Sequence, residues 1–163
     1  MTIYPQIRDR LMTTVIPFWN RLKDTENGGF YGRVTYDLKV VRDAPKGGVA
    51  AARMLWFYAA AYRILGGESL KENAHHAYCF LRDCLLDPEQ GGIYWMADHR
   101  GQAADTRKHV YAQAFAIYGL SEYYRAAGGT EALDLARDIF GLVESRGYDR
   151  LHDAYGEEYT RDW

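Results

Sequence analysis

Cysteine is scarce in this chain, with two among 163 residues, Cys79 and Cys84. Two thiols do not make the disulfide framework of a small secreted domain. Five positions apart on a helix, they would point ~140° away from each other, which excludes a local bridge. Excess charge is lacking too: 20 Lys+Arg stand against 22 Asp+Glu, a formal net of −2. A nucleic-acid or anionic-membrane binder needs a basic surface or stripe, so neither partner is expected. The longest uncharged stretch in a helical segment, His109 to Ser121, falls short of the ~20 residues that span a bilayer. The N-terminus carries Arg8, Asp9 and Arg10 where a secretion signal is apolar. The expectation is a soluble cytoplasmic protein. No HExxH and no Cys/His cluster of ligand spacing is present, so no metal is expected. Gly28-Gly29 and Gly91-Gly92 lack the strand-to-helix context of a phosphate loop, so no nucleotide cofactor is expected either.

Apolar residues, by contrast, are plentiful at 48%, enough for a sizeable core. Aromatics reach 15%, with 14 Tyr and 4 Trp. Such side chains suit a carbohydrate site, where a ring stacks on C–H faces and a polar tip bonds hydroxyls, but they also fill cores. Five segments read as helices: Pro5 to Leu22, Gly48 to Leu65, Glu68 to Leu86, Thr106 to Ala127 and Glu131 to Arg146. Pro17 should kink the first or end it early. Asp105 is placed to cap the fourth and Gly147 to end the fifth. The first, third and fifth are amphipathic, the last through Leu133, Ala136, Phe140 and Val143. The second and fourth, around MLWFYAAAY and VYAQAFAIYGL, are apolar nearly all round, which predicts burial on every side. Alternation of the two kinds predicts two layers, with the amphipathic helices outside.

The chain also repeats. Asn27-Gly28-Gly29-Phe30-Tyr31 is echoed 63 residues later by Gln90-Gly91-Gly92-Ile93-Tyr94, and more weakly by Asp153-Ala154-Tyr155-Gly156. Residues 29 to 45 read as an extended excursion with short strands. A helix pair plus a loop, repeated about two and a half times, predicts the front part of a larger toroid. A self-contained helical bundle is the alternative.

Among the candidate residues, Arg53 stands out, because an arginine on an all-apolar helix must be paired or must point into a polar cavity. Tyr111, near the start of the other inner helix, could bond a sugar hydroxyl or pack in the core. His109 could reach a cavity mouth or cap its helix. Trp95 could stack on a sugar or cover the core. His75 and His76 read as surface residues.

The strings IPFWN, ENGGFYG, ARMLWF, GGIYWM and KHVYAQAFAIYGL, in this order over essentially the whole chain, resemble the N-acylglucosamine 2-epimerase family. The resemblance implies an all-α fold, with residues 1–163 forming the N-terminal portion of a single (α/α)6-barrel domain. The reaction implied is inversion at C2 of a sugar's reducing end, glucose to mannose, by deprotonation and reprotonation through an enediolate. The substrate implied is a disaccharide or monosaccharide, with no metal or cofactor. The alternatives are an N-acylglucosamine 2-epimerase or an aldose–ketose isomerase of the same fold, or a noncatalytic sugar-binding module. By the same resemblance Arg53 contacts sugar oxygens and steadies the enediolate, and Tyr111 lies beside the substrate. His109 and Trp95 are further candidates for substrate contact. The family's two acid/base histidines lie in the second half of the barrel, beyond Trp163, and His152 matches neither. The missing C-terminal half is therefore an expected partner, and this chain alone is expected to be inactive.

Overall fold

The computed structural model describes residues 3–163. The first rod comprises α1 (Tyr4–Arg10), a π-helical turn (Leu11–Val15) and α2 (Ile16–Asn20). Pro17 neither ends nor breaks it. The turn before the proline widens, so that Ile16 N–H donates to Leu11 O, and Pro17 falls in the first turn of α2, where no N–H is needed. The other two outer rods, α4 (Glu68–Phe80) and α6 (Thr130–Leu142), also run into π-turns, Leu81–Leu85 and Val143–Gly147. The inner rods, α3 (Gly48–Leu65) and α5 (Val110–Ala127), have no such turn. Gly66-Gly67 and Gly128-Gly129, all at positive φ, turn each inner rod into the next outer one.

The layers follow the hydrophobic pattern. Leu70, Ala74, Ala77, Leu81 and Leu85 are all buried as one stripe, against Ala52, Leu55, Tyr58 and Ala59 of α3. Gly119 lets α5 approach α3 closely: a Cβ there would stand 2.6 Å from Ala52 O. Three expectations need correction. On α6 the buried stripe is Ala132, Ala136, Ile139 and Val143, so Phe140, one position round the helix from Ile139, is 55% exposed. On the first segment, read as amphipathic, Ile16 and Leu22 are buried, but Ile7, which shares their helical spacing, is 57% exposed. The inner rods are not buried all round. Each leaves one face open, bearing Arg53 on α3 and Tyr111 and Tyr118 on α5.

Among the described residues nine short strands link the rods. β1 (Arg33–Val34) pairs β2 (Val40–Val41), and β7 (Tyr148–Asp149) pairs β8 (Ala154–Tyr155). β3 (Lys46–Gly47) pairs β4 (Met96–Ala97), which also pairs β5 (Ala103–Asp105). β6 (Lys108–His109) pairs β9 (Glu158–Tyr159). Each repeat's loop is thereby stitched to the next. β6 also delays the fourth helix, which starts at Val110 rather than Thr106. Asp105 does not cap it, accepting instead from the Arg107 backbone N–H and guanidinium. Gly147 lies in the last π-turn without a positive φ, so it is not a left-handed cap.

Beneath the Gly28-Gly29 and Gly91-Gly92 turns lie two buried ion pairs. Lys46 Nζ meets Asp24 Oδ2 at 2.7 Å and donates to Gly28 O at 2.7 Å. In the next repeat Lys108 Nζ meets Asp87 Oδ2 at 3.0 Å and donates to Gly91 O at 2.9 Å. His76 is likewise no surface residue: its Nε2 lies 2.8 Å from Gly29 O, tying α4 to the first turn, and burial pulls its pKa down. Cys79 and Cys84 are both free thiols.

Candidate functional site

The open faces of the inner rods meet a hollow of about 790 Å³. Its walls come from Phe18 and Trp19 of α2, the extended segment 29–34, Gly47, the Arg53–Phe57 turn of α3, and Phe115 and Tyr118 of α5. The i, i+3, i+4 spacing of Arg53, Trp56 and Phe57 places all three on this wall, and Trp56 stacks on Tyr118 at 5.0 Å. Helix α3 therefore turns one face to the core and the other to the hollow.

Charge on the wall is of one sign. Arg33, Lys46 and Arg53 line the hollow, and no Asp, Glu or His does so among the described residues. Lys46 is neutralised by Asp24, a carboxyl that burial pushes up but that Lys46 and the N–H groups of Asn27 and Glu26 hold below its ordinary range. Arg53 has no ion pair or hydrogen bond among the described residues; its guanidinium carbon lies 5.8 Å from the centre of the Phe115 ring. Aromatic walls with free guanidinium N–H donors suit a neutral polyol whose oxygens take on negative charge.

The other expected residues form a cluster beside the hollow and do not line it. Trp95 packs on His109 at 4.0 Å and stands edge-on to Tyr111 at 5.6 Å. Tyr111 in turn meets Phe115, edge to face, at 6.5 Å, so Phe115 joins the cluster to Arg53. Tyr111 is 47% exposed on the open face. His109 does not offer its nitrogens to this face. Both are buried without a hydrogen bond, although Nε2 comes within 3.1 Å of Glu158 Oε2. Gln113, one turn on, is committed to the fold: its side chain exchanges two hydrogen bonds with the Ile93 backbone.

Sequence reasoning missed Arg33, Tyr118 and the ion pairs. The recurrence of Asp24 and Lys46 as Asp87 and Lys108, at the repeat's own spacing of 63 and 62 residues, was the available signal for the pairs. Arg33 gave none, since an arginine in an extended loop reads as solvated. Among the described residues no three His, Cys, Asp or Glu side chains gather as a metal site, and no helix is long and apolar enough to cross a membrane.

The chain is similar to known proteins along nearly its whole length. A sequence profile described as "N-acylglucosamine 2-epimerase (GlcNAc 2-epimerase)" matches residues 17–163. A cellobiose 2-epimerase of Ruminococcus albus is 49% identical over 158 residues, covering 97% of this chain and 40% of the relative. One from Bacteroides fragilis is 46% identical over 159 residues, covering 97% and 41%. The solved structure of cellobiose 2-epimerase from Bacillus thermoamylovorans superposes with a TM-score of 0.96 at 49% identity, over 98% of this chain and 41% of that one. The chain thus spans about 40% of the length of the curated relatives it matches. It belongs to the N-acylglucosamine 2-epimerase family.

Proposed function

We propose that this chain is the N-terminal portion of an (α/α)6-barrel sugar 2-epimerase that converts the reducing-end glucose of a cellobiose-like disaccharide to mannose. The observation that carries the reading is Arg53: a permanently charged group with no partner among the described residues, on the wall of an aromatic hollow. Exposed on the open face of α3, its guanidinium keeps its N–H donors available to a ligand in the hollow.

Removal of the C2 proton of the open-chain aldose leaves negative charge shared by the oxygens on C1 and C2. The Arg53 guanidinium donates to those oxygens, and walls of low polarity strengthen the interaction as the charge develops. Beside the hollow, Tyr111 offers a phenol to a sugar hydroxyl and Trp95 the face of its ring to sugar C–H groups. His109, buried behind Trp95, supports that ring. The two groups that take and return the proton come from outside this wall, whose described residues include no histidine or carboxylate.

The experiment is conversion of cellobiose in D2O by the full-length protein that carries this segment, followed by NMR. The expected product has mannose at the reducing end and deuterium at C2. Tight sugar binding without product would favour the noncatalytic module, and product without deuterium would refute the enediolate route.

A further inference from the structure

The internal repeat lets one position be compared with its counterpart. Gly48 N–H donates to Trp95 O at the start of α3, and Val110 N–H donates to Glu157 O at the start of α5. Strand register agrees, with Gly47 opposite Met96 and His109 opposite Glu158. Gly47 and His109 thus hold the same place, immediately before an inner rod. In the second repeat that place is filled by an imidazole packed on Trp95. In the first it is vacant, and it borders the hollow.

Three glycines line the hollow, and the fold explains two. A Cβ on Gly29 would lie 2.6 Å from the Phe80 ring, and the residue has φ +64°. A Cβ on Gly32 would lie 1.9 Å from Pro45 O. Gly47 is different. Its φ of −81° and ψ of 141° suit any residue, and a Cβ there would meet only Met96 Cε, at 3.9 Å. Neither backbone nor packing asks for glycine at Gly47.

We propose that Gly47 determines substrate specificity: its missing side chain keeps open the volume in which a pyranose ring of the substrate lies beside Arg53. The inference rests on the epimerase reading. It is tested in the full-length protein with Gly47→Ala and Gly47→His, the second restoring the residue of the other repeat. Both variants keep the wild-type thermal midpoint. Gly47→Ala changes the KM for cellobiose about twofold or less, and Gly47→His raises it about tenfold or more. A second readout needs no sugar turnover: phenylglyoxal modification of Arg53, followed by peptide mass spectrometry, slows in Gly47→His. A wild-type protein without epimerase activity, but with Arg53 shielded in Gly47→His, would sink the epimerase reading and leave the open volume standing. Unchanged KM and unchanged Arg53 modification in a folded Gly47→His protein would overturn the role of Gly47. So would a large loss of stability in Gly47→Ala, which would make the glycine a packing requirement.

Discussion

Arg53 and Lys46 border the same hollow and do different work. Lys46 is tied to Asp24 and Gly28 O and is almost wholly buried, whereas Arg53 keeps its donors free. Arg53 was legible in the sequence because a charge interrupts the apolar run of its helix. Lys46 was not, because a lysine after Pro45 and before two glycines looks like a solvated loop residue. Tyr111 could be placed only as a choice between core and site, and it stands on the open face. Replacing it by Phe keeps its ring contacts with Trp95 and Phe115 and removes only the hydroxyl. Tyr111→Phe in the full-length protein should raise the KM for cellobiose about 2- to 10-fold, the worth of one hydrogen bond, with the thermal midpoint unchanged. An unmoved KM would assign the tyrosine to packing alone.

Elements tell how the wall is held. Helix periodicity was readable from local sequence, and so was the two-layer order. The start of α5 was not, because pairing of β6 with β9 depends on residues 50 positions away. The first rod passes through Pro17, and the sequence left a kink and an early end both open because the π-turn that accommodates the proline leaves no mark in the apolar spacing. Close contact of α3 and α5 depends on Gly119, so Gly119→Ala should destabilise by about 1–3 kcal/mol, measured by urea unfolding. The two ion pairs should differ. Lys46→Ala leaves Asp24 buried without a cation and should cost about 3–5 kcal/mol. Lys108→Ala should cost clearly less, since Arg161 still reaches Asp87 at 2.8 and 3.0 Å; equal losses would refute the comparison. Burial opposes the charge on Asp87, yet Arg161, the Gln90 N–H and Lys108 hold its carboxyl well below the usual range. Asp24 is lowered in the same way. Carboxyls lowered by folding add stability above their unfolded pKa, about 4, and that stability is lost as pH falls below it. Unfolding free energy should therefore drop steeply below about pH 4, and less steeply in Asp24→Asn.

At the scale of the molecule, the described layers present apolar side chains at both ends of their order. Ile3, Tyr4, Ile7 and Met12 are exposed on the first rod and Phe140 on α6. Exposed apolar seams favour association, as expected for repeats that bury their faces against neighbours. In the proposed reading this wall steadies charge, and its described residues include no histidine or carboxylate to move a proton, so the 163-residue chain by itself should not epimerise cellobiose. Turnover by that chain would show that the proton-transfer groups lie within it. The central claim is that the hollow holds the reacting sugar with Arg53 on its oxygens. The most direct measurement is the kcat of Arg53→Ala for cellobiose in the full-length protein, alongside its thermal midpoint. The account predicts a fall of about 10²–10³ in kcat with folding intact; an unchanged kcat in a folded protein would contradict it.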